Sequence, residues 1–416
     1  MKTIPFSLNL INQIIESGFP TPFYLYDENS IRIQAQLLNK AFSWNKDYKN
    51  FYAVKACPNP SILRILKEEG MGADCSSLPE LVLSHGDEWE VGMTGNEIMF
   101  TSNNTQSSDF VEAFKRGAII NLDDITHLDV LEGLEIIPET ICFRFNPGPD
   151  KVGNNFIGNP VDAKYGLTRE QLFEAYARSK LLGVKNFGIH TMVASNELTN
   201  EYFADTAGLL FDFVRELYIK EKIEISFVNL GGGFGIPYKP DDIELDIMLI
   251  GKEIEKLYDK YFNDLSLNPA IFTESGRYVT GPHGYLVTTV INFKNTYKQY
   301  VGVDATMADL MRPGMYGAYH EIVVLDNSCD DEMKIVDVVG SLCENCDKFA
   351  VDRTLPLTEK GDILVICDAG AHGRAMGFNY NGKLRCGEIC LNTNGDFEII
   401  RRKETMKDLF ATLQKF

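Results

Sequence analysis

Apolar and polar positions follow two different rhythms along the chain, and the change from one to the other divides it. Between residues 50 and 275, short apolar runs of strand length recur at 50–56 (NFYAVKA), 71–76 (MGADCS), 97–102 (EIMFTS), 118–122 (AIINL), 140–146 (TICFRFN), 187–193 (FGIHTMV), 226–231 (SFVNLG) and 270–275 (AIFTES). Separating them are segments such as SILRILKEEG, SSDFVEAFKRG, EQLFEAYARSKLLG and TAGLLFDFVRELYIKEK, whose apolar residues return every three or four positions, the helical period. Eight strands alternating with helices predict an α/β fold, a (β/α)8 barrel of the TIM type, with a doubly wound open sheet as the competing arrangement.

Beyond Arg277 the rhythm changes. YLVTTVINF, KQYVGVD, EIVVLD, KIVDVVGSL, DILVICD, EICLNT and FEIIRR are β-rich with few helices between them, the pattern of an all-β domain, sandwich-like or barrel-like. Ahead of the barrel rhythm lie an amphipathic helix candidate, Leu8 to Ile15, and a strand, TPFYLYD, ending at Asp27. The division expected is therefore a barrel over 35–280 and a β domain made of 1–34 together with 281–416. Asp326 to Glu332 reads as a solvated hairpin tip, and Glu404 to Phe416 as a closing helix.

Composition narrows the function classes. The 416 residues are 44% hydrophobic and 24% charged, with no low-complexity tract, as in a globular protein of two domains. A net charge of −19 argues against nucleic-acid or anionic-membrane partners, which require clustered Lys and Arg, and favours a small-molecule ligand. MKTIPFSLNLINQ is followed by neither a long apolar run nor a small-residue cleavage site, so a cytoplasmic protein is expected. The nine cysteines, scattered from 57 to 390, suit reduced thiols. Cys343 and Cys346 have CxxC spacing, but without a second such pair no metal site is expected.

The chemistry gathers at strand ends. Lys55 closes the first barrel run; alone it could be a snorkelling residue, half of an ion pair, or a desolvated amine able to form a Schiff base. Asp74 ends the second run, His190 comes late in the sixth, Gly231, Gly232 and Gly233 end the seventh, and Glu274, Ser275, Gly276 and Arg277 end the eighth. Read one at a time, the glycines could be a plain turn, Glu274 a surface partner of Arg277, and His190 a satisfied core histidine. In a (β/α)8 barrel, however, all of these positions face the C-terminal mouth, and glycines after strand 7 with Gly276–Arg277 after strand 8 occupy its usual phosphate position. A reactive lysine, a phosphate cradle, a carboxylate and a histidine together specify pyridoxal phosphate. Lys55 would hold its aldehyde, Glu274 its ring nitrogen, and His190 would stack on the ring.

YAVKACPNPSILRIL with GADCSSLPEL, VNLGGGFGIPY, TESGRYV, MRPGMYGAYHEI, GSLCENCDKFAVDRTLP and GAHGRAMGFNYNGKLRCGEICL resemble, in order and over nearly the whole chain, the motifs of the fold III pyridoxal-phosphate decarboxylases, and among them the diaminopimelate decarboxylases. The resemblance implies a homodimer whose active sites are shared, Cys343 as the acid that protonates the substrate carbon, Glu344 at the distal amino group, and Arg312 with Tyr316 at the distal carboxylate. Arg277 is also implied in substrate binding. The implied reaction converts meso-2,6-diaminopimelate to L-lysine and carbon dioxide. Related decarboxylases of carboxynorspermidine, ornithine, lysine or carrier-bound glutamate are the alternatives; an alanine racemase, or an inactive binding relative, is a more distant one. Departures from the pattern are Ser275 in place of proline, Cys57 in place of asparagine, and His372 in place of a tyrosine, so that either His372 or Tyr380 takes that contact. HTMVASNE differs from the usual segment and leaves Ser195 as the candidate phosphate ligand.

Overall fold

The computed structural model describes residues 2–86, 89–153, 158–325 and 332–414. They form two compact units. One comprises Arg32–Ile236 with Ile243–Tyr278; the other comprises Met1–Ile31, Pro237–Asp242 and Val279–Phe416.

The first strand of the chain, β1 (Phe23–Asp27), belongs to the second unit; the next eight build the first. They are β2 (Lys49–Ala53), β3 (Gly72–Cys75), β4 (Ile98–Thr101), β5 (Ile119–Leu122), β6 (Thr140–Arg144), β7 (Asn186–His190), β8 (Phe227–Asn229) and β9 (Ala270–Thr273). All pair in parallel, and β9 returns to β2 through Lys49↔Phe272, closing an eight-stranded barrel. The barrel, and not the open sheet, is the arrangement adopted. Each strand is short and almost wholly buried, which is why the sequence shows compact apolar runs here instead of strict alternation. Inside, Phe51, Met99, Ile119, Cys142 and Phe227 pack with Phe272, whose ring lies 5.0 Å from that of Phe51 and 4.7 Å from that of Phe227. Burying each such aromatic contributes about 1.5–3 kcal/mol. This plug makes the barrel a solid support and leaves chemistry to its mouth.

The helices start where the local chemistry allows. Asn59 accepts from Ser61 N ahead of Pro60, opening the helix Pro60–Glu68 directly after the Lys55 turn. Thr168 and Gln171 form a reciprocal capping box at Arg169–Leu181. Leu78–His85, His127–Gly133 and Ile247–Phe262 complete the alternation at places where no helix was singled out from the sequence.

The second unit is a nine-stranded mixed sheet. Its later strands are β10 (Gly284–Asn295), β11 (Gln299–Val303), β12 (Ile322–Val324), β13 (Met333–Val339), β14 (Lys348–Pro356), β15 (Ile363–Ile366), β16 (Gly387–Leu391) and β17 (Phe397–Arg401). Their order is β14-β13-β11-β10-β1-β16-β17, with β15 pairing β10 and β12. β1 runs antiparallel to β10 and parallel to β16, with Phe23 opposite both Val287 and Gly387. The helix Leu8–Glu16, capped by Ser7, lays Ile11 and Ile14 onto Phe23, Leu25 and Val287 in this unit's core.

Two expectations fail here. β14 is not among the strands the sequence predicts, because KFAVDRTLP joins three consecutive apolar residues to three consecutive polar ones and shows no clean alternation. The closing helix shrinks to Met406–Leu409, because Thr405 and Asp408 cap a single turn whose residues bury no apolar face. The expected hairpin tip lies outside the described residues apart from Glu332. Among the described residues, no helix is long and apolar enough to cross a membrane.

Candidate active site

Strands β2, β3, β5, β7, β8 and β9 and the turns after them carry the polar residues of the barrel mouth. β2 ends at Ala53, and a single 3-10 turn, Val54–Ala56, turns Val54 and Ala56 inward while Lys55 remains exposed. The strand thus does not bury its lysine, and of the alternatives open for Lys55 the structure shows an exposed residue at the end of the first barrel strand. Burial raises the Asp74 and Glu80 carboxyls, with the Lys55 charge only partly opposing it, whereas at Glu274 the same charge joins the groups that hold the carboxyl down.

Asp74 on β3 and Glu274 after β9 are both buried, at 1% and 7% exposure, and they divide the charge between them. Burial, and then the Glu274 charge, push the Asp74 carboxyl well above the usual carboxylate range. Burial would raise Glu274 as well, but the His190, Lys55 and Asn229 groups around it outweigh that effect and hold it below its ordinary value. The two carboxyls are thus pushed in opposite directions, Asp74 toward the neutral acid and Glu274 toward the anion, and the charge of one disfavours that of the other.

His190, the last residue of β7, sits between β5 and β9. Its Nδ1 is 2.9 Å from Asn121 Nδ2, and its Nε2 is 3.1 Å from Glu274 Oε2 but out of line for a hydrogen bond. The other Glu274 oxygen accepts from Asn229 Nδ2 at 2.7 Å.

The loop after β8 explains its three glycines. Gly231 has φ +69° and Gly233 φ +98°, the left-handed region, and a Cβ on Gly232 would come 2.6 Å from Glu274 O. Backbone N–H groups are thereby brought to the mouth; Gly232 N lies 3.2 Å from Met192 Sδ. Facing them, Arg277 opens a short helix and its Nη2 donates to Ser195 Oγ at 3.4 Å. Gly276 packs onto Ala53 and Ala56, where a Cβ would come 2.8 Å from that of Ala56. Ser275 N donates to Asn50 Oδ1 at 2.8 Å, a bond that proline could not make, and Asn50 Nδ2 donates back to Ser275 O at 3.2 Å. Asn50 Oδ1 also accepts from Thr273 Oγ1 at 2.8 Å, so one side chain clasps the first barrel strand to the last.

Lys55, Asp74, His190, Gly231 to Gly233 and Glu274 to Arg277 thus occupy one end of one barrel. The sequence reading missed Asn50, Asn121 and Asn229, which connect them, and the Asp123–Arg144 ion pair at 3.0 Å beside them. A signal existed: three asparagines, a residue type depleted in strands, lie within otherwise apolar strand runs.

In the second unit, the remaining candidates gather around one turn. Met307 N donates to Asp347 Oδ1 at 2.6 Å and Leu342 N to Asp347 Oδ2 at 2.8 Å, which fixes the loop bearing Cys343 and Glu344. Cys343 N donates to Asn381 Oδ1 at 2.7 Å, drawing in the Tyr380–Gly382 turn. The helix Arg312–Tyr316 abuts the same loop at Gly314, where a Cβ would be 2.3 Å from Cys346 O. Cys343, Glu344, Tyr316 and Tyr380 are all exposed, whereas Arg312 is buried, its guanidinium 5.3 Å from the Tyr238 ring centre. His372 is half-buried in a left-handed conformation, φ +55°.

Residues 28–281 match the family model for the pyridoxal binding domain of pyridoxal-dependent decarboxylases. The chain belongs to the pyridoxal-dependent decarboxylases. Among curated relatives, this decarboxylase is 39% identical to protein TabA of Pseudomonas amygdali pv. tabaci, over 96% of this chain and 93% of that one. It is 35% identical to the diaminopimelate decarboxylase of Methanothermobacter thermautotrophicus, over 94% and 91% respectively. The solved diaminopimelate decarboxylase of M. jannaschii in co-complex with L-lysine superposes with a TM-score of 0.88 at 30% identity, covering 96% of this chain and 94% of that one.

The decarboxylase is a carboxy-lyase and its cofactor is pyridoxal phosphate. The mouth fits that group on its own geometry: a buried anion in Glu274, a glycine loop with no room for side chains, and Asp74 Oδ1 and His190 Nε2 buried without a hydrogen-bond partner among the described residues.

Proposed function

We propose that this decarboxylase removes one carboxylate of meso-2,6-diaminopimelate, giving L-lysine and carbon dioxide. The observation that carries the substrate choice is Arg312, a buried guanidinium on the helix that abuts the Cys343–Glu344 loop. A planar, permanently charged fork suits a carboxylate, and the loop beside it brings an acidic side chain for an ammonium. Diaminopimelate carries both groups at its distal end. The relatives named diaminopimelate decarboxylase support the same choice.

In this reading Lys55 holds the cofactor aldehyde. The glycine loop, Arg277 and Ser195 hold its phosphate, Glu274 its ring nitrogen, His190 its ring face, and Asp74 lies beside Lys55. When bound, pyridoxal phosphate supplies the electron sink for the pair left as the Cα–carboxylate bond breaks. Cys343 then delivers a proton to that carbon, Glu344 binds the distal ammonium, and Arg312 with Tyr316 binds the distal carboxylate. Tyr380 and His372 border the same group. The Cys343–Glu344 segment is contributed by the second copy in a homodimer.

The test is to incubate cofactor-loaded protein with meso-diaminopimelate, lysine, ornithine, arginine and carboxynorspermidine and to follow carbon dioxide. Fastest turnover of diaminopimelate is expected; preference for ornithine would overturn the assignment. The 39% identity to TabA, above that to the diaminopimelate decarboxylase, favours one second reading, decarboxylation of a different amino acid. The other amino acids in the panel sample that reading. Mixing inactive Lys55→Ala with inactive Cys343→Ala subunits should recover partial activity if sites are shared, and no recovery despite subunit exchange would count against the shared site.

A further inference from the structure

Asn229, the last residue of β8, is fully buried, and its carboxamide makes both kinds of hydrogen bond at once. Oδ1 accepts from Gly231 N at 2.9 Å, while Nδ2 donates to Glu274 Oε1 at 2.7 Å, with Met99 Sδ 3.0 Å away. The partners settle which end of the amide is which, because a backbone N–H can only donate and a carboxylate can only accept. The backbone closes the ring: Glu274 N donates to Gly231 O at 2.7 Å. Gly231 and Glu274 are thus tied twice, once through the main chain and once through this side chain.

We propose that Asn229 is a positioning residue that couples the glycine loop's hold on the cofactor phosphate to the charge and aim of Glu274 at the cofactor ring. The inference rests on the pyridoxal-phosphate reading of the mouth and adds to it a residue that touches neither substrate nor cofactor. The groups around Glu274 are His190 from β7, Lys55 from the turn after β2, Asp74 from β3 and Cys142 from β6. Beside these titratable groups, Asn229 donates to Glu274 through an amide that carries no charge at any pH. Aspartate at this position has nearly the same shape and still accepts from Gly231 N, but it replaces the donor with a second anion against Glu274.

A double-mutant cycle between positions 229 and 274 tests the coupling. Pyridoxal phosphate is titrated into wild type, Asn229→Asp, Glu274→Gln and the double variant, and binding is followed by quenching of protein fluorescence. Asn229→Asp is expected to weaken binding about tenfold when Glu274 is present and clearly less in the Glu274→Gln background, a non-additivity typical of directly bonded pairs. In the cofactor-free protein, Asn229→Asp should lower the melting temperature more as pH rises past the carboxylate range, and Glu274→Gln should remove that pH dependence. Equal losses in both backgrounds, or none, would overturn the coupling. Should Asn229→Asp not fold, Asn229→Ala runs through the same cycle, and its effect on cofactor affinity must likewise shrink in Glu274→Gln. The two levels separate cleanly. A wild-type protein with no visible absorption band that Lys55→Ala abolishes overturns the cofactor reading and this inference with it. Normal loading of wild type with no coupling overturns the inference alone.

Discussion

The barrel mouth and the Cys343 cluster of the second unit hold their polar residues in opposite ways. In the barrel the side chains themselves are tied: Glu274 to Asn229 and His190, His190 to Asn121, and Arg277 to Ser195, with most of these groups buried. In the second unit only the backbone is tied. Asp347 and Asn381 fix the main chain of the loop and leave Cys343, Glu344, Tyr316 and Tyr380 exposed. Groups that must hold a fixed charge gain from being wired in advance, since preorganised dipoles need no rearrangement when charge develops. A proton donor and substrate contacts need access, so anchoring the backbone and leaving the side chains open suits them. On this view changes in the barrel should alter cofactor and chemistry together, and changes in the loop should alter chemistry alone.

The largest effect expected is from Lys55→Ala: no measurable turnover and no visible cofactor band, measured by carbon dioxide release and absorbance. Glu274→Gln should cut kcat by about 10²–10³-fold, the range for losing one preorganised electrostatic partner, and change the band as well. Cys343→Ala should lower kcat by about 10²-fold, as for a lost general acid, while cofactor affinity stays at the wild-type value. A matching loss of affinity in Cys343→Ala would break the contrast between the two regions. Asp347→Ala sharpens it: two backbone N–H groups lose their acceptor, costing about 1–3 kcal/mol each where they remain buried, and urea denaturation should show it.

A pH effect on stability belongs to the second unit. Burial, against the pull of Asp27, holds His283 down to about 4. The unfolded chain takes up this proton near the ordinary histidine value of about 6.5 and the folded chain only near 4, so unfolding is favoured as pH falls through that window. The contribution lost by pH 4 is about 3 kcal/mol, or 1.36 kcal/mol for each unit of difference. Melting curves of His283→Gln should be flatter than wild type between those limits; identical slopes would remove His283 from the account.

Much of this was legible in the sequence. The eight apolar runs became the eight barrel strands because both faces of a parallel barrel strand are buried and strand ends mark the mouth. Glu274, His190 and the glycines could be placed there because each is a residue type unsuited to its local run. Lys55 could be placed at its strand end, but its environment was left open, since exposure depends on how the 3-10 turn rotates the side chain, which no local pattern encodes. β14 is not legible because its apolar residues cluster instead of alternating, and the C-terminal helix is shorter than its pattern because amphipathic spacing does not reveal whether any surface is there to receive it.

What the sequence by itself determined was therefore the inventory and its order: which runs bury both faces, which glycines the loop needs, and which charged groups end strands. Only the tertiary structure decided their charge states and partners. Asp74 and Glu274 lie 200 positions apart in the chain. Barrel closure of β2 on β9 buries both in one mouth, where the Glu274 charge helps to raise Asp74, and it places Asn229 and His190 to hold Glu274 down. Electrostatic coupling falls off with distance in space and is blind to separation along the chain, so it appears only once the fold has closed.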